Sequence, residues 1–367
     1  MIGARNVIWV LLLVPACFHP SYDHPTCGPN GECPSGLACS AELICERGGV
    51  IDASIIDAPV DARPPQPFPS CVGLAMTCGT SGTDSCCTSP PVPGGTYYRS
   101  YDLASDGRFG NIAYPATVSA FRLDKYEVAV GRFRAFVDAG MGTQASPPQP
   151  GAGAHANIVG SGWNASWNTR LQADKATLIA AVKCDPLYQT WTDTPAGNED
   201  RPMNCIDWYT AMALCAWDGG YLATEAEWNY AATGGDQQRA YPWSSPAGAL
   251  TPLDSAHASY YDGNCVGDGM PGCAVTDLVA VGSKPLGDGR WGQSDLAGNV
   301  WEWTLDMDAP YINPCINCAS VLTGSLAVTR GGGFRDDATN LRAGNRGNGT
   351  PAYRGDRFVG VRCARAP

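Results

Sequence analysis

The chain has 367 residues with 24 Lys+Arg against 35 Asp+Glu, a formal net charge of −11, and only 16% charged residues beside 44 Gly, 29 Pro and 11 Trp. That length buries a sizeable core and leaves room for appendages. An acidic balance with no basic run excludes a nucleic-acid binder, and the glycine- and proline-rich composition excludes a helical bundle in favour of a compact, loop-rich fold of short elements.

The first element is a targeting signal. Arg5 gives a short positive region, and VIWVLLLV, residues 7–14, is an apolar run too short to span a bilayer comfortably. LVPAC follows and resembles a bacterial lipoprotein signal, in which cleavage before Cys17 leaves that cysteine to be lipidated; Pro15 departs from the usual box. Residues 1–16 are thus expected to be a signal peptide. The mature protein is expected to be exported to the bacterial cell envelope and held to a membrane by acyl chains, without a transmembrane helix. An ordinary signal peptide with a coincidental cysteine is the alternative, and it also implies export.

Cysteine usage agrees with export. There are 17 Cys, so setting Cys17 aside leaves an even number, which in an oxidising compartment reads as disulfides. Zinc is the rival, but Cys315-Ile316-Asn317-Cys318 is the sole CxxC and has no second pair at zinc-site spacing. Residues 17–45 form a small Cys-rich module, with Cys27, Cys33, Cys39 and Cys45 at regular intervals. It is too short for a hydrophobic core and needs two staples. Residues 46–70, rich in Asp, Ala and Pro, read as an extended linker. Residues 71–92 are a Cys-rich lead-in, in which adjacent Cys86 and Cys87 need different partners because a vicinal bridge would be strained. The main domain is expected over 93–367.

In that domain Phe121, Leu123, Tyr126 and Val128 favour strand. Phe133, Phe136 and Val137 then recur at helical spacing up to a stop at Gly140. Residues 141–200 carry little periodicity and read as ordered loops. A second helix presents Trp208, Ala211, Met212, Cys215 and Ala216 on one face and stops at Gly219-Gly220. A third opens with Thr224 and Glu227 spaced as a capping box and closes at Gly234-Gly235. Short strands and long loops follow.

DKYEV, RPMNCIDWYTAMALCAWDGGYLATEAEWNYAATGG, YPW, GQSDLAGNVWEW, VTRGGGF, LRAGNR and VGVRCAR stand in the order and spacing of the formylglycine-generating enzyme family, also called the sulfatase-modifying factor family. The resemblance covers roughly residues 93–367, and TEAEW, GNVWEW and RGG in series carry its specificity. It implies an α+β fold of the C-type-lectin type with little regular secondary structure. It also implies a structural calcium ion held by the side chains of Asp295 and Glu302 and the carbonyls of Gly298 and Val300. Hard oxygen donors of this kind suit calcium, and strand alternation would put Trp301 and Trp303 on one face and Glu302 on the other. The rival reading ties Glu302 to local backbone N–H groups. The resemblance further implies a disulfide between Cys215 and Cys363. Cys265 with Cys273 and Cys315 with Cys318 read as local loop bridges, and Cys184 with Cys205 follows by elimination.

The family's oxidases hold copper(I) on two cysteines shortly after RGGS. Here residues 330–346 read RGGGFRDDATNLRAGNR, with Gly333 in the serine's place and no cysteine. Copper is therefore not expected, since the soft ion needs thiolates. Arg330, Arg335, Asp336, Asp337, Arg342 and Arg346 stand there instead. They could line a polar pocket for an anionic group, or form a solvated loop whose arginines pair with buried carboxylates. Iron, which other branches of the family use, needs histidines. The chain has only His19, His24, His155 and His257, so iron lacks supporting ligands. The main expectation is a non-catalytic binding or structural scaffold with a peptide, protein or glycan ligand. The alternative is a divergent metal-dependent oxidase, of formylglycine-generating or non-haem iron type, using other ligands in the same cleft.

Overall fold

The computed structural model describes residues 37–39, 45–47, 68–74, 76–321, 324–354 and 358–367. It falls into two units, Met1–Pro65 and Gln66–Pro367. In the first, strands β1 (Leu37–Cys39) and β2 (Cys45–Arg47) pair antiparallel, with Cys39 opposite Cys45. The segment expected to be a signal peptide, Cys17 where lipidation is expected, Cys27, Cys33, His19, His24 and most of the expected linker lie outside the described residues. The linker read at 46–70 is trimmed at both ends. Glu46 and Arg47 belong to β2, and Pro69–Cys71 form a 3-10 turn of the second unit.

The second unit starts with the lead-in. β3 (Thr77–Cys78) and β4 (Asp84–Ser85) form a small hairpin, and disulfides Cys71–Cys87 and Cys78–Cys86 give the adjacent cysteines separate partners. Next come β5 (Pro91–Val92), β6 (Gly95–Tyr98), β7 (Pro115–Val118) and β8 (Phe121–Leu123). β8 is shorter than expected. After Leu123 the chain leaves the ladder because buried Asp124 turns inward to Arg132 at 2.9 Å and Arg365 at 2.8 Å, although Tyr126 and Val128 remain in the core.

Helix α1 (Val130–Asp138) buries Phe133, Phe136 and Val137, and the chain reverses at Gly140 (φ 71°). The stretch 141–200 is loop for the most part, but it contains a helix the periodicity did not reveal. α2 (Lys175–Ala181) forms because Asp174 and Thr177 close a capping box at its start, with Leu178 as its one buried residue. α3 (Trp208–Trp217) is capped by Asp207, whose carboxylate accepts from the Thr210 N–H at 2.7 Å. It is buried almost all round, so its apolar face is wider than the expected stripe, while Ala216 at its end is half-buried. After β9 (Tyr221–Leu222), α4 (Glu225–Ala232) starts with the expected Thr224–Glu227 box, and Gly234 (φ 65°) closes it.

The C-terminal third supplies β10 (Trp301–Met307), β11 (Cys315–Ile316), β12 (Ala327–Arg330), β13 (Gly347–Gly349), β14 (Val359–Gly360) and β15 (Cys363–Arg365). These strands combine into sheets ordered β13-β12-β10-β14, β5-β8-β15-β9 and β11-β7-β6. The first and second mix elements far apart in sequence. β14 runs parallel to β10, and β15 lies antiparallel between β8 and β9. The largest core cluster gathers Phe133, Phe136, Trp163, Trp191, Trp208 and Trp303 around the Cys215–Cys363 bridge, which ties α3 to β15. Among the described residues no helix is long and apolar enough to cross a membrane.

Candidate functional site

The GNVWEW segment leads from a tight loop into β10. Gly298 sits at φ 88°, and a Cβ there would lie 2.3 Å from the Ser259 carbonyl oxygen, so only glycine fits. Asp295 (φ 57°) and Asn299 (φ 62°) share the left-handed region, and three such residues within five positions fold the loop on itself. Trp303 goes into the core, its indole N–H donating to the Ile206 carbonyl at 3.0 Å, whereas Trp301 is only half-buried.

Glu302 points inward and is fully buried. Its protein partners are side chains, not local N–H groups. Arg362 donates through Nε at 2.7 and 2.9 Å and through Nη2 at 2.6 Å, and the Trp228 indole donates at 2.7 Å. Arg362 spends its remaining donors on the carbonyls of Asp124, Lys125 and Ser294.

Two more buried carboxylates lie nearby. Asp295 accepts from the Gly282 N–H at 2.6 Å, and burial pushes its carboxyl up to about 6, with Asp288 and Glu302 adding to the rise and Arg362 opposing it. Glu127 accepts from the Asn299 amide at 2.7 Å and the Val300 N–H at 3.2 Å. Burial, then Asp295, then Glu302 raise it well above its ordinary value. Three carboxyl groups therefore crowd one guanidinium, and two of them, Glu127 and Asp295, are pushed toward their protonated forms. The donor type of this loop, hard carboxylate and carbonyl oxygens, fits calcium. Among the described residues no three acidic, histidine or cysteine side chains converge closely enough to hold an ion by themselves. An ion here would therefore depend on the Gly298 and Val300 carbonyls.

The sequence reading missed Glu127 and Arg362. It also missed Gln293, whose amide is fully buried with neither end hydrogen-bonded among the described residues. The available signal was a lone acid or arginine set among apolar residues, as in KYEVAV and VGVRC.

Of the six residues in and after the RGG turn, Arg330 and Arg346 meet on one carboxylate, and the other four turn elsewhere. Arg330 is fully buried and pairs with Glu225, Arg346 reaches the same Glu225 at 2.8 Å and also Asp308, and Arg342 grips Asp102 at 2.5 Å and Asp106 at 2.8 Å. Burial pushes Glu225 up, yet Arg330 and Arg346 beside it hold its carboxyl below the ordinary range. Asp336 takes the Trp301 indole N–H at 2.7 Å and the Gly333 N–H at 3.0 Å. Exposed Asp337 caps its own turn through Thr339 and Asn340, and Arg335 lies over the rings of Tyr188 and Phe358. The two described histidines each have a separate carboxylate, Glu227 for His155 at 3.2 Å and Asp254 for His257 at 2.8 Å.

All twelve cysteines from Cys71 onward are in disulfides. Besides those above, these are Cys184–Cys205, Cys265–Cys273 and Cys315–Cys318.

A family model described as "Sulfatase-modifying factor enzyme 1-like domain" matches residues 79–367. The chain belongs to this family.

Formylglycine-generating enzyme of Streptomyces coelicolor is 29% identical over 301 residues, spanning 74% of this chain and 87% of that protein. The Mus musculus protein named "Inactive C-alpha-formylglycine-generating enzyme 2" is also 29% identical, over 289 residues covering 74% and 84%. The solved structure of PvdO from Pseudomonas aeruginosa, at 21% identity and a TM-score of 0.50 over 76% of this chain and 93% of that one, has a similar fold. The sulfatase-modifying-factor domain thus has the compact α+β fold expected of it, but its match begins inside the lead-in and not at residue 93. The contacts explain why: the Gly79 N–H donates to the Val281 carbonyl at 3.1 Å, and Asp84 pairs with Lys125 at 2.5 Å.

Proposed function

We propose that this protein is an exported, lipid-anchored scaffold whose sulfatase-modifying-factor domain binds a ligand and does not oxidise cysteine. One observation carries the reading. Residues 330–346 contain no cysteine, and six disulfides take up every cysteine from Cys71 onward. Copper(I) needs thiolates, and a sulfur committed to a disulfide is not one. The arginines and aspartates near the former thiol positions pair with one another's surroundings and hold the loop in shape, which suits a rigid surface more than a reactive one.

The Asp295–Glu302 loop would hold a structural calcium ion through the side chains of Asp295 and Glu302 and the carbonyls of Gly298 and Val300. Calcium would favour the ionised form of Asp295, whose carboxyl burial and acidic neighbours otherwise push up to about 6. The acyl chains on Cys17 would keep the scaffold on a membrane of the cell envelope, where a peptide, protein or glycan ligand would meet it.

The test uses the full chain. Purified protein is analysed for bound metals, then incubated with copper(I), oxygen and a peptide carrying a cysteine-type sulfatase motif. The expected result is calcium without stoichiometric copper or iron, and unmodified peptide. Conversion of the peptide cysteine to an aldehyde, or one copper or iron per chain, would overturn the reading in favour of a divergent oxidase.

A further inference from the structure

A cavity of about 340 Å³ lies at the end of β10 remote from the GNVWEW loop, lined by Trp167, Arg170, Trp208, Tyr209, Ser325 and Thr350 among others. Its size falls in the range of small-ligand sites, roughly 300–1,000 Å³. The construction begins locally. Asn164 caps a 3-10 helix, Ala165–Arg170, by accepting from the Ser166 N–H at 2.9 Å. With three residues per turn, positions 167 and 170 emerge on the same side. The Trp167 ring is then fixed by edge-to-face contact with Trp208 at 5.2 Å and lies 6.2 Å from Tyr209. Trp208 is itself anchored, its indole N–H on the Thr304 carbonyl at 2.8 Å and its backbone N–H on Pro351 at 3.0 Å. This arrangement is a rigid aromatic wall with a cation at its rim.

Two features define what would bind. First, Arg170 is exposed and has no ion-pair or hydrogen-bond partner among the described residues, although buried arginines elsewhere in the chain are matched to carboxylates. Among the described residues the lining contains no Asp or Glu, in a chain with 35 acids against 24 bases. Second, the Trp167 indole N–H and the Tyr209 hydroxyl also lack partners among the described residues, and the hydroxyls of Ser325 and Thr350 stand in the same lining. A ligand that satisfies all of these has a flat face of C–H groups to stack on an aromatic ring, many oxygen acceptors, and a carboxylate for a guanidinium.

We propose that this cavity binds an acidic pyranose, a uronate unit of an anionic polysaccharide, with the sugar face on Trp167 and Tyr209 and the carboxylate on Arg170. The proposal gives the binding reading above a ligand class and rests on it. Nothing in it uses the GNVWEW loop or the RGG turn.

The experiment titrates the full chain with trigalacturonate, with triglucuronate and with their methyl esters, which keep the rings and remove the charge, and follows binding by calorimetry. At least one acid trimer should bind, with its ester about tenfold weaker or more, as expected for loss of one charge-assisted carboxylate contact. Arg170→Gln should bring the acid down to the level of its ester while leaving the unfolding curve unchanged, because Arg170 supports no other described group. Trp167→Ala should abolish binding of both. Equal binding of acid and ester, no binding of either acid, no effect of Arg170→Gln, or displacement of the sugar by the sulfatase-motif peptide would each overturn the proposal. If the uronates fail and the peptide stays unoxidised, the scaffold reading survives without this ligand. If the peptide is oxidised, that reading falls whatever the titration shows.

Discussion

Replacing Glu302 by Gln tests the interior beside the GNVWEW loop most directly. The side chain keeps its shape and one carbonyl acceptor but loses its charge. In the native protein three contacts of 2.6 to 2.9 Å join the carboxylate to Arg362, and both residues are fully buried. Breaking a buried pair by neutralising one partner costs about 3–5 kcal/mol, because the other charge is left in a poor solvent. Here the loss should lie near about 3 kcal/mol, because Glu127 and Asp295 still act on Arg362 and are relieved of a like-charged neighbour. The assay is urea unfolding in EGTA, followed by tryptophan fluorescence, so that no calcium contribution enters. The midpoint should fall with the slope unchanged. Asp138→Asn is the control. Its pair with Lys175 is 2.8 Å long but largely exposed, so its loss should cost under about 1 kcal/mol. If Glu302→Gln costs no more than this control, the buried pair does not hold the loop and the reasoning fails.

Calcium at the loop should stabilise by mass action, about 2.7 kcal/mol at a hundredfold excess over its dissociation constant, read as a fall in unfolding midpoint on adding EGTA that Asp295→Asn removes. Asp306 offers a pH test. Burial, then Glu225, push its carboxyl from 3.8 up to about 7. Because the folded protein holds this proton more tightly than the unfolded chain, wild-type stability is greatest below about pH 4 as far as this group is concerned. It should decline by up to about 4 kcal/mol as pH rises through 7. Asp306→Asn should flatten that stretch of the stability–pH curve, and an unchanged slope would contradict the assignment. Removing the Cys215–Cys363 bridge by paired Ala substitution opens a loop with a sequence separation of 148, which chain entropy values at about 5 kcal/mol; a loss under about 1 kcal/mol by urea melt would show that native contacts alone hold α3 to β15.

Local features were legible because their partners are close in sequence. The Thr224–Glu227 box, the Gly140 and Gly234 stops, and the short Cys265–Cys273 and Cys315–Cys318 loops each involve residues no more than eight apart, so residue type and spacing suffice. The Asp174–Thr177 box was equally local and went unread, since it stands in a stretch with little apolar periodicity and announces a helix with one buried side chain. The strands were harder to read. Many are two or three residues long, and their pairing depends on chain segments far away, as β15 depends on both β8 and β9.

The sequence by itself determined the family, the caps, the cysteine economy and the absence of cysteine after the RGG turn, because each is a matter of residue identity in order. Only the tertiary structure decided what the charged residues face. Glu302 meets Arg362 across 60 positions, Glu225 meets Arg330 across 105 and Asp102 meets Arg342 across 240. It likewise brought Trp167 and Arg170 beside Trp208 and Tyr209. A charge in a low-dielectric interior requires a counter-charge within a few ångströms, and which residue supplies it is settled by packing, since the order of letters carries no record of distance.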